Sequence, residues 1–291
     1  MGCTAMKTVI ECIPCFARQA AEAVEQTVSD PAQREALLRR LLNVIAAESW
    51  DGTPPMMAQR LHRLIRRELG SKDPYRDLKA RMNQTAEGLL PRLRELLSGH
   101  ADRRETAVKL AIAGNMLDAG AKTQIGPDEL PGHMEDILGT PLSGEPERLF
   151  EAAEKARCIL YLADNAGEIY FDRLLIEELP AEKITLFVRG APVINDATLE
   201  DADRAGLPEI LPVFGNGSDA PGTIVEDCDD KFKEWFDCAD LIVAKGQGNY
   251  ETLSDTGKHI FFLFTVKCPV IAKQIGEPVG SMMIVEQNGN E

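Results

Sequence analysis

The chain has 291 residues, with 32 basic against 47 acidic side chains and a formal net charge of -15. That length can bury a sizeable core in one or two domains, and that charge argues against non-specific attraction to nucleic acid or an anionic membrane. An anionic substrate is not excluded, because a metal ion and a few placed Lys or Arg side chains reverse the field locally.

Taken in order, the chain opens with Cys12-Ile-Pro-Cys15 and then turns helical from Phe16. Helix starts recur at Ser29-Asp30-Pro31, Thr53-Pro54-Pro55, Ser71-Lys72-Asp73-Pro74 and Asp102, each a capping residue with Pro or a helix former behind it. Apolar residues between them recur at three and four, as in Leu37, Leu38, Leu41, Leu42 and Ile45. No strand pattern precedes about residue 157. Residues 1–145 are therefore expected to form an all-helical domain of five or six helices, ending at a Gly- and Pro-rich joint around 141–146. In residues 146–291 the texture changes. Strand-like runs at 158–163, 184–188, 209–214, 241–244, 260–264 and 282–285 alternate with helical stretches near 168–179, 197–205, 223–236, 249–255 and 268–275. That alternation predicts an α/β domain with a mainly parallel, doubly wound sheet.

In such a sheet ligands bind where strands end and helices begin. Asp164-Asn165 closes the first apolar run, and Asn195-Asp196 follows the second beyond Arg189-Gly-Ala-Pro192. Adjacent parallel strands would put both loops on one edge, where Asp164, Asn165 and Asp196 offer oxygen donors to a hard cation such as Mg²⁺ or Mn²⁺. Asp and Asn in such loops also serve simply as turn formers and caps. Lys245-Gly246-Gln247-Gly248 offers backbone that can approach an anion beside a positive charge, although the same residues suit a tight turn. Lys267 and Arg189 would bring two further positive charges to that edge, and the amides at 165–168 and 246–249 would add donors.

Other features are weighed the same way. Asn115 and Asp118 share one helix face within an apolar run and either bond another helix or line the site. Cys12 and Cys15 are structural thiols, a metal half-site completed by a residue such as Cys268, or a redox pair. The seven cysteines are odd in number and scattered behind no basic and apolar leader, which suggests a reducing, cytoplasmic setting. The longest apolar run, around 260–266, is strand-sized, so no membrane partner is expected. The basic run from Arg60 to Arg67 reads as a solvated helix face. The four histidines show no ligand spacing.

Six motifs in this order match a known pattern: Cys12-x-x-Cys15; Gly114-Asn115-x-x-Asp118; Asp164-Asn165-Ala166-Gly167-Glu168; Pro192-Val-Ile-Asn195-Asp196-Ala-Thr198; Lys245-Gly246-Gln247-Gly248-Asn249; and Lys267-Cys268. Over nearly its whole length the chain resembles the DUF89 proteins, the damage-control phosphatases, and within them the microbial, CxxC-bearing branch. The resemblance implies a helical domain on a Rossmann-like α/β domain and metal-dependent hydrolysis of small phosphomonoesters, either sugar phosphates or damaged phosphometabolites. By position, Asp164, Asn165 and Asp196 resemble the metal ligands. Lys245, Asn249 and Lys267 resemble the groups that hold the substrate, with Glu168 and Asn115 lining the site. The cofactor implied is a divalent ion: Mn²⁺, Mg²⁺, Ni²⁺ or Co²⁺. The eukaryotic branch carries Arg-Thr-x-Lys near its last strand, whereas here Phe264 precedes Thr265-Val-Lys267. A carboxyl methyltransferase using S-adenosylmethionine and a non-catalytic metal- and phosphometabolite-binding protein are the alternatives.

Overall fold

The computed structural model describes residues 6–116 and 136–289; Cys3, Asp118 and His133 lie outside the described residues. Helices α1 (Ile13–Thr27), α2 (Pro31–Ala47) and α3 (Pro54–Leu69) share a core of Phe16, Ala20, Leu37, Leu41, Met57, Leu61 and Ile65. The Asp30 carboxylate starts α2 by accepting from the Gln33 N–H at 2.8 Å, with Pro31 in the first turn. Helix α2 buries Leu37, Leu41 and Ile45 while Leu42 is exposed, so its apolar stripe is narrower than the sequence suggests. Next come α4 (Arg76–Gly99) and α5 (Arg103–Ala113), the latter capped by Asp102 on the Glu105 N–H at 2.9 Å.

Among the described residues, seven strands make one sheet: β1 (Leu142–Ser143), β2 (Ile159–Leu162), β3 (Ile184–Val188), β4 (Val213–Gly215), β5 (Leu241–Lys245), β6 (Ile260–Thr265) and β7 (Met282–Gln287). Their order is β1-β7-β6-β5-β2-β3-β4, and every pairing is parallel except β6 with β7. The two-residue β1 corrects the expectation of no strand before residue 157: it is too short to show any period, and it pairs with β7 at Leu142 to Met282.

Alternation along the strands divides the core. Ile159 and Tyr161 of β2, Leu241 and Val243 of β5, and Phe261 and Leu263 of β6 face one layer. That layer contains α4, α5, α6 (Pro146–Lys155), α7 (Glu168–Glu178) and α8 (Leu199–Arg204). Leu160, Leu162, Ile242, Ala244, Phe262 and Phe264 face the other, made by α9 (Asp230–Cys238), α10 (Gly246–Leu253) and α11 (Pro269–Ile275). Both faces are covered, which is why β2, β3 and β5 are buried at every position.

From β2 the chain winds one way to β3 and β4, and from β5 it winds the other way to β6 and β7. The winding therefore reverses between β2 and β5, and the crevice at their C-terminal ends is where a doubly wound sheet binds ligands.

Candidate active site

Asp164 follows β2, and its loop is stitched to the loop after β3. The Ala197 N–H donates to the Asp164 carbonyl and the Ala166 N–H to the Asn195 carbonyl, both at 2.8 Å, while Asn165 bridges Asp196. Asp164, Asn165 and Asp196 are thus brought together, all nearly buried. In the turn that delivers Asn195 and Asp196, Ile194 has φ 45°, a conformation that β-branched residues rarely adopt.

Two carboxamides converge on the carboxylates. Asn115 Nδ2 donates to Asp164 Oδ2 at 2.9 Å and to Glu168 Oε2 at 2.8 Å, and Asn165 Nδ2 donates to the same oxygens at 2.7 and 2.8 Å. Gly246 has φ 79°, and a Cβ there would overlap the Asp164 carboxylate, so the glycine is what lets this acid pack against the start of α10.

The positive groups lie elsewhere than the sequence suggests. Lys245 shares its face of β5 with Leu241 and Val243, so its side chain enters the layer of α5 and α7 and is fully buried. Its ammonium donates to the Ala111 carbonyl at 2.8 Å, Glu168 Oε1 at 2.7 Å and Asp172 Oδ1 at 2.5 Å, and no donor is left for a phosphate. Arg189 is likewise buried, donating to Asp196 at 2.7 Å, Thr223 at 3.2 Å and Asn249 at 3.5 Å, and lying 3.7 Å from Asp164. Asn249 completes this set by donating to the Lys245 carbonyl at 2.7 Å and accepting from Thr223 at 2.8 Å. Lys267 alone of the three cations is exposed. Its backbone N–H donates to Gln247 Oε1 at 2.8 Å, and its charge bears on both Asp164 and Asp196.

Packing and internal hydrogen bonds take up part of the edge expected to meet an anion. A Cβ at Gly248 would meet the Pro221 carbonyl, so that glycine serves internal packing. The Ala166 N–H is bonded to Asn195, and the Gly167 N–H donates to Asn83 Oδ1 at 2.8 Å. Glu168, 1% exposed, accepts from Lys245, Asn115 and Asn165 and offers a ligand no open face.

Asp164, Glu168, Asp172 and Asp196 are four buried carboxylates facing two buried cations, Arg189 and Lys245. Among the described residues, that leaves two more buried carboxylates than buried cations if all are ionised. Burial and the neighbouring Glu168 and Asp196 charges push the Asp164 carboxyl up to about 7, and burial also raises Asp196 despite Arg189. For Lys245, burial opposes the charge, but Asp172 and Glu168 prevail and hold the ammonium above its ordinary value. Asn115 Oδ1 is a buried acceptor without a hydrogen-bond partner among the described residues. An excess of carboxylate charge beside an unused carbonyl oxygen suits a hard cation. Among the described residues, no group of three or more Cys, His, Asp or Glu side chains is placed to hold a metal ion by itself. Two carboxylates with carboxamide oxygens instead give the open pattern in which Mg²⁺-like ions keep positions for water and phosphate.

Sequence reasoning missed Asn83 and Asp172. Asn83 lies in α4, a helix with nothing to mark it, whereas Asp172 is a lone acid in the apolar run from Ile169 to Leu175, four residues after Glu168. It also misread the basic run of α3: Arg63 and Arg66 bind Asp219, and Gln59 bridges Asp219 and Asp227 at 2.7 Å to each. A cleft of about 390 Å³ lined by Arg148, Asp240, His259 and Glu286 opens at the opposite end of the parallel strands from this constellation.

Comparison with known proteins gives a consistent picture. The family model for the damage-control phosphatase ARMT1-like domain matches residues 8–283. A damage-control phosphatase of Archaeoglobus fulgidus is 40% identical over 250 residues, covering 82% of this chain and 85% of the relative. Another, from Pyrococcus horikoshii, is 34% identical over 284 residues, covering 96% and 97%. The crystal structure of a DUF89 family protein from Pyrococcus horikoshii superposes with a TM-score of 0.89 at 33% identity, covering 97% of this chain and 99% of the other.

Proposed function

The chain belongs to the damage-control phosphatase ARMT1-like family, and on that premise we propose that it hydrolyses small phosphomonoesters at the crevice between β2 and β5. The observation that carries the site assignment is the charge imbalance there: four buried carboxylates, two buried cations and an exposed Lys267 beside them. Asp164, Asn165 and Asp196 hold a divalent ion, with Mg²⁺ or Mn²⁺ the best match to an all-oxygen donor set and Ni²⁺ or Co²⁺ served by the same atoms. When bound, that ion neutralises phosphate charge and supplies an activated water.

The chain's own residues do the rest. Lys267 binds a phosphoryl oxygen and stabilises the charge that grows on it in the transition state. Amides in the first turn of α10, whose start is set by Gly246, add donors. Asn115 and Glu168 hold the Asp164 carboxylate and the Asn165 carboxamide in place, and Arg189 does the same for Asp196. Asp164 acts as a ligand and not as a nucleophile: its Oδ2 accepts from two carboxamides, and the residue two further on is Ala166 where aspartyl phosphatases carry a second Asp. The substrate is a small phosphorylated metabolite, a sugar phosphate or a damaged phosphometabolite. The number and scatter of its thiols favour the cytoplasm as the place of action. The methyltransferase alternative is not favoured, because a single Gly167 follows β2 where a cofactor-binding loop would need several.

The test is phosphate release from a panel of sugar phosphates, phosphopantetheine, nucleotides and p-nitrophenyl phosphate, after chelation and after each divalent metal is restored. Release should require metal and fall at least about a thousandfold in Asp164→Ala, the scale expected when a metal ligand and its charge stabilisation are removed together. Release from any ester that persists under chelation would sink the proposal.

A further inference from the structure

The buried Lys245–Asp172 pair is not needed to hold either metal or phosphate, yet it is costly. Glu168 and Asp172 stand one turn apart on α7 and share the Lys245 ammonium, at 2.7 and 2.5 Å. The Tyr161 hydroxyl donates to the same Asp172 Oδ1 at 2.9 Å, and the Ala111 carbonyl takes the remaining Lys245 donor at 2.8 Å. Tyr161, Glu168, Asp172 and Lys245 are each 1% exposed or less, while Asp172 Oδ2 has no hydrogen-bond partner among the described residues. Burying such a group costs several kcal/mol unless the geometry is exacting, so stability alone is a weak reason for its presence.

Its reach explains it better. Lys245, fixed at three corners, pins Glu168 Oε1, and this presents Glu168 Oε2 to the Nδ2 groups of Asn115 and Asn165. A carboxamide that donates through its nitrogen must turn its oxygen the other way. We propose that Asp172 is a positioning residue: through Lys245 and Glu168 it sets which way the Asn165 and Asn115 carboxamides face, and so aims their oxygens at the cation. The inference rests on the proposed cation site and deepens it. Outer groups of this kind typically tune metal affinity by about 10- to 100-fold.

The measurement is Mn²⁺ affinity by electron paramagnetic resonance, on variants whose folded state is checked by circular dichroism. Asp172→Ala should weaken binding by about tenfold or more. Asp172→Asn keeps an oxygen for Lys245 and Tyr161 and should stay within about threefold of the parent. Lys245→Met should lose as much as Asp172→Ala, and the double variant should be no weaker than Lys245→Met alone, because both act along one chain of contacts. A folded Asp172→Ala that binds Mn²⁺ as tightly as the parent, or losses that multiply in the double variant, would overturn the inference. If the Ala variant does not fold, the order of Asp172→Asn and Lys245→Met decides, and Asn weaker than Met overturns it. A parent protein that binds no Mn²⁺, or binds it equally after Asp164→Ala, overturns the cation site and this inference together.

Discussion

At the scale of single residues, the site shows how alternation decides function. Lys245 ends a strand at the ligand-binding edge, and on that ground it reads as a phosphate-binding cation. Counting from Leu241 and Val243 puts it on the face covered by α5 and α7, where it meets Glu168 and Asp172. Lys267 lies two residues beyond the end of β6 and stays in solvent. A second buried titratable group gives a prediction away from the site. His62 is 2% exposed, packs edge-on against Tyr75, and has an Nε2 without a hydrogen-bond partner among the described residues. Burial, helped by the Arg66 charge, lowers it from 6.5 to about 3. The folded state therefore refuses a proton that the unfolded chain accepts below pH 6.5, and stability falls as pH drops from 6.5 towards 3. At pH 5 this one group removes about 2 kcal/mol relative to pH 7. Urea titrations of His62→Gln should show that much less acid sensitivity between those two pH values, and an unchanged difference would refute the assignment.

At the scale of elements, most of the strand and helix alternation was readable because β2, β3, β5 and β6 are apolar runs bounded by turns. What was not readable follows from tertiary contacts. The stretch 223–236 is α-helical only from Asp230, where Asp229 caps the Phe232 N–H at 2.8 Å; before it lies one 3-10 turn at Val225–Asp227, and Thr223 is held out of any helix by bonds to Asn249 and Thr252. Helix α10 begins at Gly246 and not at 249, since the glycine turns the chain directly out of β5. The loops that carry Asp164 and Asp196 were legible as neighbours, but the helices that brace them were not. From α4, Lys79 meets Asp201 at 2.8 Å and Asn83 reaches both Asp201, at 2.7 Å, and the Gly167 N–H. Burial would raise Asp201, but the Lys79 charge and the Thr198 bonds outweigh it and hold the carboxyl below its usual range. That stability is present above about pH 3.8 and is lost as pH falls through the lowered value. Removing Lys79 leaves the acid buried and unpaired, so Lys79→Met should cost about 3–5 kcal/mol at pH 7. The deficit should shrink as pH approaches 4 and the orphaned acid takes a proton. Equal deficits at both pH values, in chemical denaturation, would contradict this account.

At the scale of the whole molecule, a protein of net charge -15 concentrates an excess of buried carboxylates over buried cations at one edge of its sheet. Asp164, Glu168, Asp172 and Asp196 outnumber Arg189 and Lys245 by two, so the protein without its cation pays in stability for a site that a cation would complete. The sign follows from Asp164. Its carboxyl is pushed up to about 7, so its protonated form stabilises the fold at low pH, and that contribution is lost as pH rises from 3.8 through 7. Without a cation, the parent should therefore melt higher at pH 5.5 than at pH 8 by more than Asp164→Asn does, because the carboxamide has nothing to ionise. At pH 8 the variant should itself be more stable than the parent by an amount on the order of 1–3 kcal/mol. Saturating Mn²⁺ or Mg²⁺ at about a hundred times its Kd should then raise the parent by about 2.7 kcal/mol and leave the variant almost unmoved. Thermal melts at both pH values, with and without metal, separate the two effects. A variant less stable than the parent at pH 8 in chelator would show that the carboxylate is satisfied within the protein, and the charge imbalance would no longer argue for a cation at the crevice.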